Sequence, residues 1–394
     1  MKKKSIRDFD LKGKKILIRA DFNVPLDADL KITDDTRIKS SIPTIKHALD
    51  RGGSVILMSH LGRPKGEANE RMRLDPVRDR LKELLGRDVR KLNDCVGSDV
   101  RDAVKSIRPG DVMLLENLRF HKEEEKNDSS FAKELASLGD IFINDAFGTC
   151  HRAHASTEGV TKYLPSGSGF LVEKEIRYFE SLVEKPEKPY VAILGGAKVS
   201  DKIQVFGRLM DNVDAILVGG AMAYTFLKSQ GVNVGGSKLE ADKLDLAKDI
   251  LDKSEKKNVK IVLPLDHIVA DKIDENAETK EVGREIPDKW IGLDIGKMTI
   301  KKFKEVLKTA KTVVWNGPVG YFEISKFGNG TKEIAGFLAD LSATTVIGGG
   351  DTAAAIAKLG LEEKMSHIST GGGASLEYLE GKTLPGIAAL NDRE

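Results

Sequence analysis

Short apolar runs alternate with segments of helical spacing from one end of the chain to the other. Runs at 16–19, 55–59, 112–116 and 141–145 predict strands in the first half. Runs at 191–194, 215–219, 260–263, 312–316, 344–348 and 367–370 predict strands in the second. Between them, 38–49, 241–253 and 299–309 carry apolar residues at helical intervals. Buried runs alternating with helices predict an α/β protein built on parallel sheets with helices on both faces. One sheet holding every strand would exceed the ordinary size, so two sheets and two domains are expected.

The boundary is marked by a helix and its breaker. Leu171, Ile176, Phe179, Leu182 and Val183 have helical spacing, and the EKPEKP that follows at 184–189 stops any helix with its two prolines. The expected division is a first domain at 1–169, a connecting helix at 170–185 and a second domain at 186–380. The charge-rich stretch 121–128 reads as a solvated loop, and no repeat of fixed period is present.

Composition narrows the class. The 394 residues are 40% hydrophobic and 31% charged, the profile of a globular enzyme. A net charge of +2 gives no general case for nucleic acid or an acidic membrane, so any basic site must be local. The basic start lacks the apolar core of an export signal, and no apolar run has transmembrane length. Two cysteines, Cys95 and Cys150, argue against a disulfide framework and for a reducing cytoplasm.

The second half repeats one device: a strand, a glycine cluster and a helix start. It occurs as LGGAKVSDKI at 194–203, VGG at 218–220, VIGGGDT at 346–352 and STGGGASLE at 369–377. Such turns lie at the carboxyl ends of strands, where open α/β sheets bind ligands, and glycine lets the backbone approach them. Lys198 and Lys202, four residues apart, are placed to bring two ammonium groups to one phosphate-sized target. Each cluster alone reads as tight helix–strand packing rather than a ligand cradle. Together with two lysines and an acidic residue they favour a nucleotide. Neither GxxxxGK[ST] nor GxGxxG is present at these turns. Asp351 has two readings, a helix N-cap or a magnesium ligand alongside phosphates.

In the first half the strands end in polar and basic residues instead: RADFNVP at 19–25, TRIK at 36–39, SHLGRP at 59–64, ENLRF at 116–120 and NDAFGTCHRAHAS at 144–156. Arg37, His60, Arg63, Arg119 and Arg152 sit at or just beyond element ends. One such residue alone would be a surface ion pair of little consequence. Five in comparable places predict a small polyanionic substrate held by arginine forks. Asp21 and Asn23 would add acceptors for its hydroxyls.

These segments, with WNGPVG at 315–320, resemble the phosphoglycerate kinase family in order and spacing over essentially the whole chain. The resemblance implies two Rossmann-like domains joined by a long helix across a cleft, with the tail 381–394 packing back on the first. It implies reversible transfer of the acyl phosphate of 1,3-bisphosphoglycerate to ADP, giving 3-phosphoglycerate and ATP, by a cytoplasmic monomer with no nucleic-acid or membrane partner. Residue by residue, it assigns the 3-phosphoglycerate side to Asp21, Phe22, Asn23, Arg37, His60, Leu61, Gly62, Arg63, Arg119 and Arg152. The nucleotide side falls to Lys198, Lys202, Gly292, Asn316, Glu323, Gly349, Gly350, Asp351 and Thr352, with Asp351 on Mg2+. Gly371, Gly372 and Gly373 would face the transferred phosphoryl group, which Lys198 and Arg37 would approach from opposite domains. Departures from the family pattern fall at Lys297, Met298, Cys150 and Tyr321, and none removes a charged group.

A carboxylate is the leaving group of that reaction, so no strong base is required, and no nucleophile–base pair is evident. His60 and His154 read as substrate-side hydrogen-bonding and structural groups. With one substrate on each domain, the domains are expected to close for reaction. Two rivals make different demands. A nicotinamide dehydrogenase would need a GxGxxG turn, and a two-lobed anion-binding protein would have no use for Lys198, Lys202 and Asp351.

Overall fold

The computed structural model describes residues 3–393. Met1 and Lys2 of the basic start, and Glu394 at the end of the tail, lie outside the described residues. The chain divides into two compact units. The first runs to Arg177 and takes in the chain again from Thr383, and the second is Tyr178–Lys382. The division falls inside the helix Phe170–Val183, between Arg177 and Tyr178.

The first unit is built on a six-stranded parallel sheet. Its strands are β1 (Lys15–Ala20), β2 (Ser54–Met58), β3 (Arg90–Lys91), β4 (Val112–Leu114), β5 (Ile141–Asp145) and β6 (Ser166–Ser168), in the order β3-β4-β2-β1-β5-β6. Alternate residues of the apolar runs feed two cores. Ile16, Ile18, Val55, Leu57 and Ile143 pack with Ile38, Ile45, Val77 and Leu81 of the helices Thr36–Asp50 and Asp75–Leu85. Leu17, Ile56, Met58 and Phe142 pack on the other face with Val100, Val104, Phe131 and Leu135 of Ser98–Lys105 and Ser129–Ala136. Each fully buried aliphatic or aromatic side chain contributes ~1.5–3 kcal/mol, which is why these strands are apolar on both faces. The tail joins this unit: the Asn144 amide donates to the Gly386 carbonyl (2.8 Å) and the Gly386 N–H to the Cys150 carbonyl (2.9 Å).

The second unit has its own parallel sheet. Its strands are β7 (Tyr190–Leu194), β8 (Ala215–Val218), β9 (Lys260–Val262), β13 (Thr312–Asn316), β14 (Thr344–Gly348) and β15 (His367–Ile368), in the order β15-β14-β13-β7-β8-β9. Between β9 and β13 the chain adds a three-stranded antiparallel sheet of β10 (His267–Ala270), β11 (Thr279–Val282) and β12 (Ile291–Ile295). The parallel-only expectation missed this small sheet, as well as β3 and β6. β11 is exposed along three of its four residues, so it carries no apolar run to read. β3 has two residues and β6 reads SGS.

The strand orders reverse beside β1 in one sheet and beside β7 in the other. Such switch points, at the carboxyl ends of β1/β5 and β7/β13, are where open α/β sheets bind ligands.

Candidate active site

In the first unit the basic residues converge on the carboxyl edge of the sheet. Asp21 and Asn23 follow β1, and Arg37 lies in the first turn of the next helix. The Arg37 guanidinium donates to both Asp21 oxygens (3.2 and 3.1 Å) and to the Asn23 carbonyl (3.1 Å). Asn23 Oδ1 accepts from the Gly62 N–H at 2.8 Å, which leaves one acceptor site on that oxygen and the Nδ2 donor for a ligand. Arg119, almost wholly buried, donates to the Gly62 carbonyl at 3.0 Å and faces Glu125 at 3.3 Å. Arg152 donates to His151 Nε2 at 3.1 Å. Arg63 is exposed. Phe22 and Leu61 have their side chains in the apolar core, so only their main chain is available to a ligand.

The cationic field can be read on the histidines. His60 is buried, and its proton affinity falls well below the usual imidazole range through burial, then Arg19, Arg119 and Arg37. His154 is pushed down to about 3 by burial, Arg19, Arg119 and Arg152. Both are neutral at physiological pH, and the arginines supply the charge. A sheet edge where five guanidinium groups gather against three carboxylates, Asp21, Glu124 and Glu125, is suited to a small polyanion.

Two residues at this edge escaped the sequence reading. Arg19 is fully buried, with Nε donating to Ser156 Oγ (2.9 Å) and Nη2 in contact with His60 Nδ1 (3.1 Å). Glu124, expected in a solvated loop, is fully buried as well. Its carboxylate accepts from the Ser156 N–H (2.9 Å) and hydroxyl (2.5 Å). The correction has a physical cause. Burial raises the proton affinity of Glu124 and lowers that of Arg19, and each charge opposes the other's shift. The carboxylate is inside because an arginine is there with it. A lone Glu in a run of Glu123, Glu124 and Glu125 carries no such signal.

In the second unit the glycine clusters separate into two kinds. Those after β7, β8 and β13 are consumed by packing on one another. The Gly195 N–H donates to the Asn316 carbonyl, that of Gly196 to Pro318, that of Gly220 to Val319 and that of Met222 to Gly196. A Cβ on Gly220 would meet the Gly196 N and O at 2.6 and 2.7 Å. By contrast, Cβ atoms on Gly350 and Gly372 would meet nothing within 4 Å, and Gly349 has a positive φ of 89°. Gly371 and Gly373 flank Gly372 at the start of the helix Gly373–Leu379.

The two lysines differ as much. The helix begins only at Ile203, after a 3-10 turn at Ser200–Lys202, so the four-residue spacing does not place them on one helical face. Lys198 is exposed in the loop. Lys202 is buried, with Nζ on the Gly195 and Asn316 carbonyls at 2.7 Å each. Burial pulls its proton affinity down to about 7, against Asp201 and Asp351, which raise it. Beside it the buried Asn316 Nδ2 has no hydrogen-bond partner among the described residues, and an added Cβ on Gly349 would lie 3.0 Å from it. Thr352 Oγ1 accepts from the Gly317 N–H at 2.7 Å, tying the loop after β13 to the helix Gly350–Lys358. Asp351 does not cap that helix. The N-cap is Gly349, and no side chain caps it. Its exposed carboxylate stands in the first turn, the negative group favoured near a helix N-terminus.

Gly292 lies in β12, where a Cβ would meet Ile286 at 2.8 Å and the Tyr224 hydroxyl closer still; its N–H donates to Ser237 Oγ at 2.9 Å. Glu323 is exposed in the loop after β13.

An arginine-rich edge on one unit, and an edge with a buried lysine and an open glycine-led helix start on another, are the parts of an α/β phosphotransferase. The chain belongs to the phosphoglycerate kinase family, whose model matches residues 6–382. A phosphoglycerate kinase of Thermosipho africanus is 56% identical over 100% of this chain and 99% of its own length. A chloroplastic phosphoglycerate kinase of Volvox carteri is 56% identical over 99% of this chain and 87% of its own. In three dimensions, a phosphoglycerate kinase from Coxiella burnetii superposes with a TM-score of 0.90 at 41% identity, covering 98% of both chains. One from Pyrococcus horikoshii gives 0.86 at 33%, with 98% coverage of both.

Proposed function

We propose that this chain transfers the acyl phosphate of 1,3-bisphosphoglycerate to ADP and runs the reverse reaction. The observation that carries the reading is the segregation of polar groups within a chain of this family. The guanidinium groups that suit a small polyanion belong to the first unit. The buried Lys202 ammonium, the unpartnered Asn316 amide and the open helix start at Gly349–Gly350 belong to the second.

On the acyl-phosphate side, Arg119, Arg152, Arg63 and the Asn23 amide bind and orient the polyanion, while Asp21 holds Arg37 in place. On the nucleotide side, Lys202, the Asn316 amide and the N–H groups opening Gly350–Lys358 take phosphate oxygens. The orphaned amide and the exposed Asp351 carboxylate fit a Mg2+–nucleotide, because magnesium is usually held by one or two carboxylates plus the phosphates. When bound, the ion would neutralise phosphate charge. Transfer needs no base, since a carboxylate leaves, and the chain's task is positioning and charge stabilisation. Lys198 and Arg37 stabilise the moving phosphoryl group, and the open Gly371–Gly373 turn leaves it room.

Both cysteines are free and buried, which supports work in a reducing compartment, the cytoplasm, and no helix among the described residues is long and apolar enough to cross a membrane. The family default is a monomer.

The test is ATP formation from ADP, magnesium and 1,3-bisphosphoglycerate by the wild type and by Lys198→Ala and Arg37→Ala. Rapid wild-type turnover with kcat falling ~100- to 1,000-fold in each variant is expected, the usual cost of one donor to transition-state charge. Unchanged kcat in both would remove these residues from the transfer step, and absence of turnover in the folded wild type would overturn the reaction.

A further inference from the structure

We propose that Glu124, Ser156 and Arg19 form a buried relay that fixes the tautomer of His60, so that His60 meets the substrate as a neutral Nε2–H donor. The substrate arm of this inference rests on the function proposed above; the relay itself does not.

Which atoms are able to donate fixes the direction of every bond in this cluster. An ionised carboxylate only accepts. Glu124 Oε1 therefore takes the Ser156 hydroxyl proton across 2.5 Å, while Oε2 takes the Ser156 N–H across 2.9 Å. With its proton committed, Ser156 Oγ is left as an acceptor and receives the Arg19 Nε–H at 2.9 Å. A guanidinium has five N–H groups and no acceptor. The contact of Arg19 Nη2 with His60 Nδ1 at 3.1 Å is thus a hydrogen bond only if Nδ1 carries no proton. Neutral His60 must then hold its proton on Nε2, the nitrogen with no partner among the described residues. Every group in the chain of contacts is at most 4% exposed, so water does not compete for these directions.

The relay also separates two kinds of arginine at this edge. Arg19 has three of its five N–H groups committed, Nε on Ser156, Nη2 on His60 and Nη1 on the Ala20 carbonyl, and it is fully buried. Glu124 supplies its counter-charge. It is a positioning residue, and binding of the polyanion is left to the arginines nearer solvent. A neutral Nε2–H donor beside those arginines suits a phosphate or carboxylate oxygen and adds direction without adding charge.

The experiment is a long-range 1H–15N correlation spectrum of the full chain labelled at histidine nitrogen, at neutral pH. The His60 signals are identified by their loss in His60→Gln. The wild type should show His60 neutral with the proton on Nε2, and 3-phosphoglycerate should shift that Nε2 resonance. Ser156→Ala, which cuts the relay, should populate the Nδ1–H form and raise KM for 3-phosphoglycerate on the order of 10-fold, leaving KM for ATP unchanged. Ser156→Thr, which restores the hydroxyl, should return both. A wild-type His60 that is protonated on Nδ1 or doubly protonated overturns the relay, whatever the variants do. A tautomer that is unchanged in a folded Ser156→Ala removes Ser156 and Glu124 from it. A correct tautomer whose Nε2 ignores saturating 3-phosphoglycerate overturns the substrate arm while the relay stands, and the functional reading is decided separately by turnover.

Discussion

Lys202 shows how a buried cation strains the state that carries it. Its ammonium is held away from water on two carbonyls, where burial brings its proton affinity down to about 7. In the unfolded chain the same group keeps its proton to about pH 10.4. Between those values the unfolded state binds more protons, so stability rises with pH, and below about 7 the burial penalty is fully in force. Lys202→Met should flatten that rise by up to about 1.4 kcal/mol per pH unit. Denaturant unfolding from pH 7 to 10 checks it, and an identical slope in both proteins would show that Lys202 is not the group responsible. In the sequence the two lysines were legible as a pair beside glycines at a strand end. Their directions were not. A 3-10 turn in place of the first helical turn sent Lys202 inward and left Lys198 outside. Arg19 and Glu124 were hidden for a related reason: their burial depends on each other and on Ser156, three places far apart in sequence.

Among the secondary elements, the glycine turns have separable jobs. Those after β7 and β8 let two loops pack backbone to backbone, whereas Gly350 opens a helix in free space. Gly220→Ala should lower thermal stability and nucleotide affinity together, because its Cβ collides with the Gly196 backbone and its φ of 64° suits glycine. Gly350→Ala sits at a helix start with nothing near and should hold or gain up to ~1 kcal/mol of stability. Melting temperatures decide the pair; equal losses would mean that both turns serve packing alone. The sequence exposed most of these elements because fully buried parallel strands are apolar at every position, as in VAIL after Tyr190 or VVW after Thr312. It concealed β11, whose TKEV is mostly exposed, and β3 and β6, too short to carry a pattern.

Over the whole molecule, the account assigns one substrate to each unit, and transfer brings the reacting oxygens within ~3–3.5 Å. Small-angle scattering should therefore show contraction only when 3-phosphoglycerate and Mg–ATP are both present, and identical profiles in all states would count against ligand-driven closure. The two-unit plan was readable from Phe170–Val183 and the prolines after it. The return of the tail was implied only by family resemblance, since the contacts of Gly386 and Asn391 with Asn144 and Ser166 are made across most of the chain. The central claim is the segregation itself. Its most direct test is calorimetric binding of both ligands to Arg119→Ala and Lys202→Met. A crosswise result is expected: Arg119→Ala loses 3-phosphoglycerate and keeps Mg–ATP, and Lys202→Met does the reverse. Loss of both ligands from either folded variant, or of neither, would contradict it.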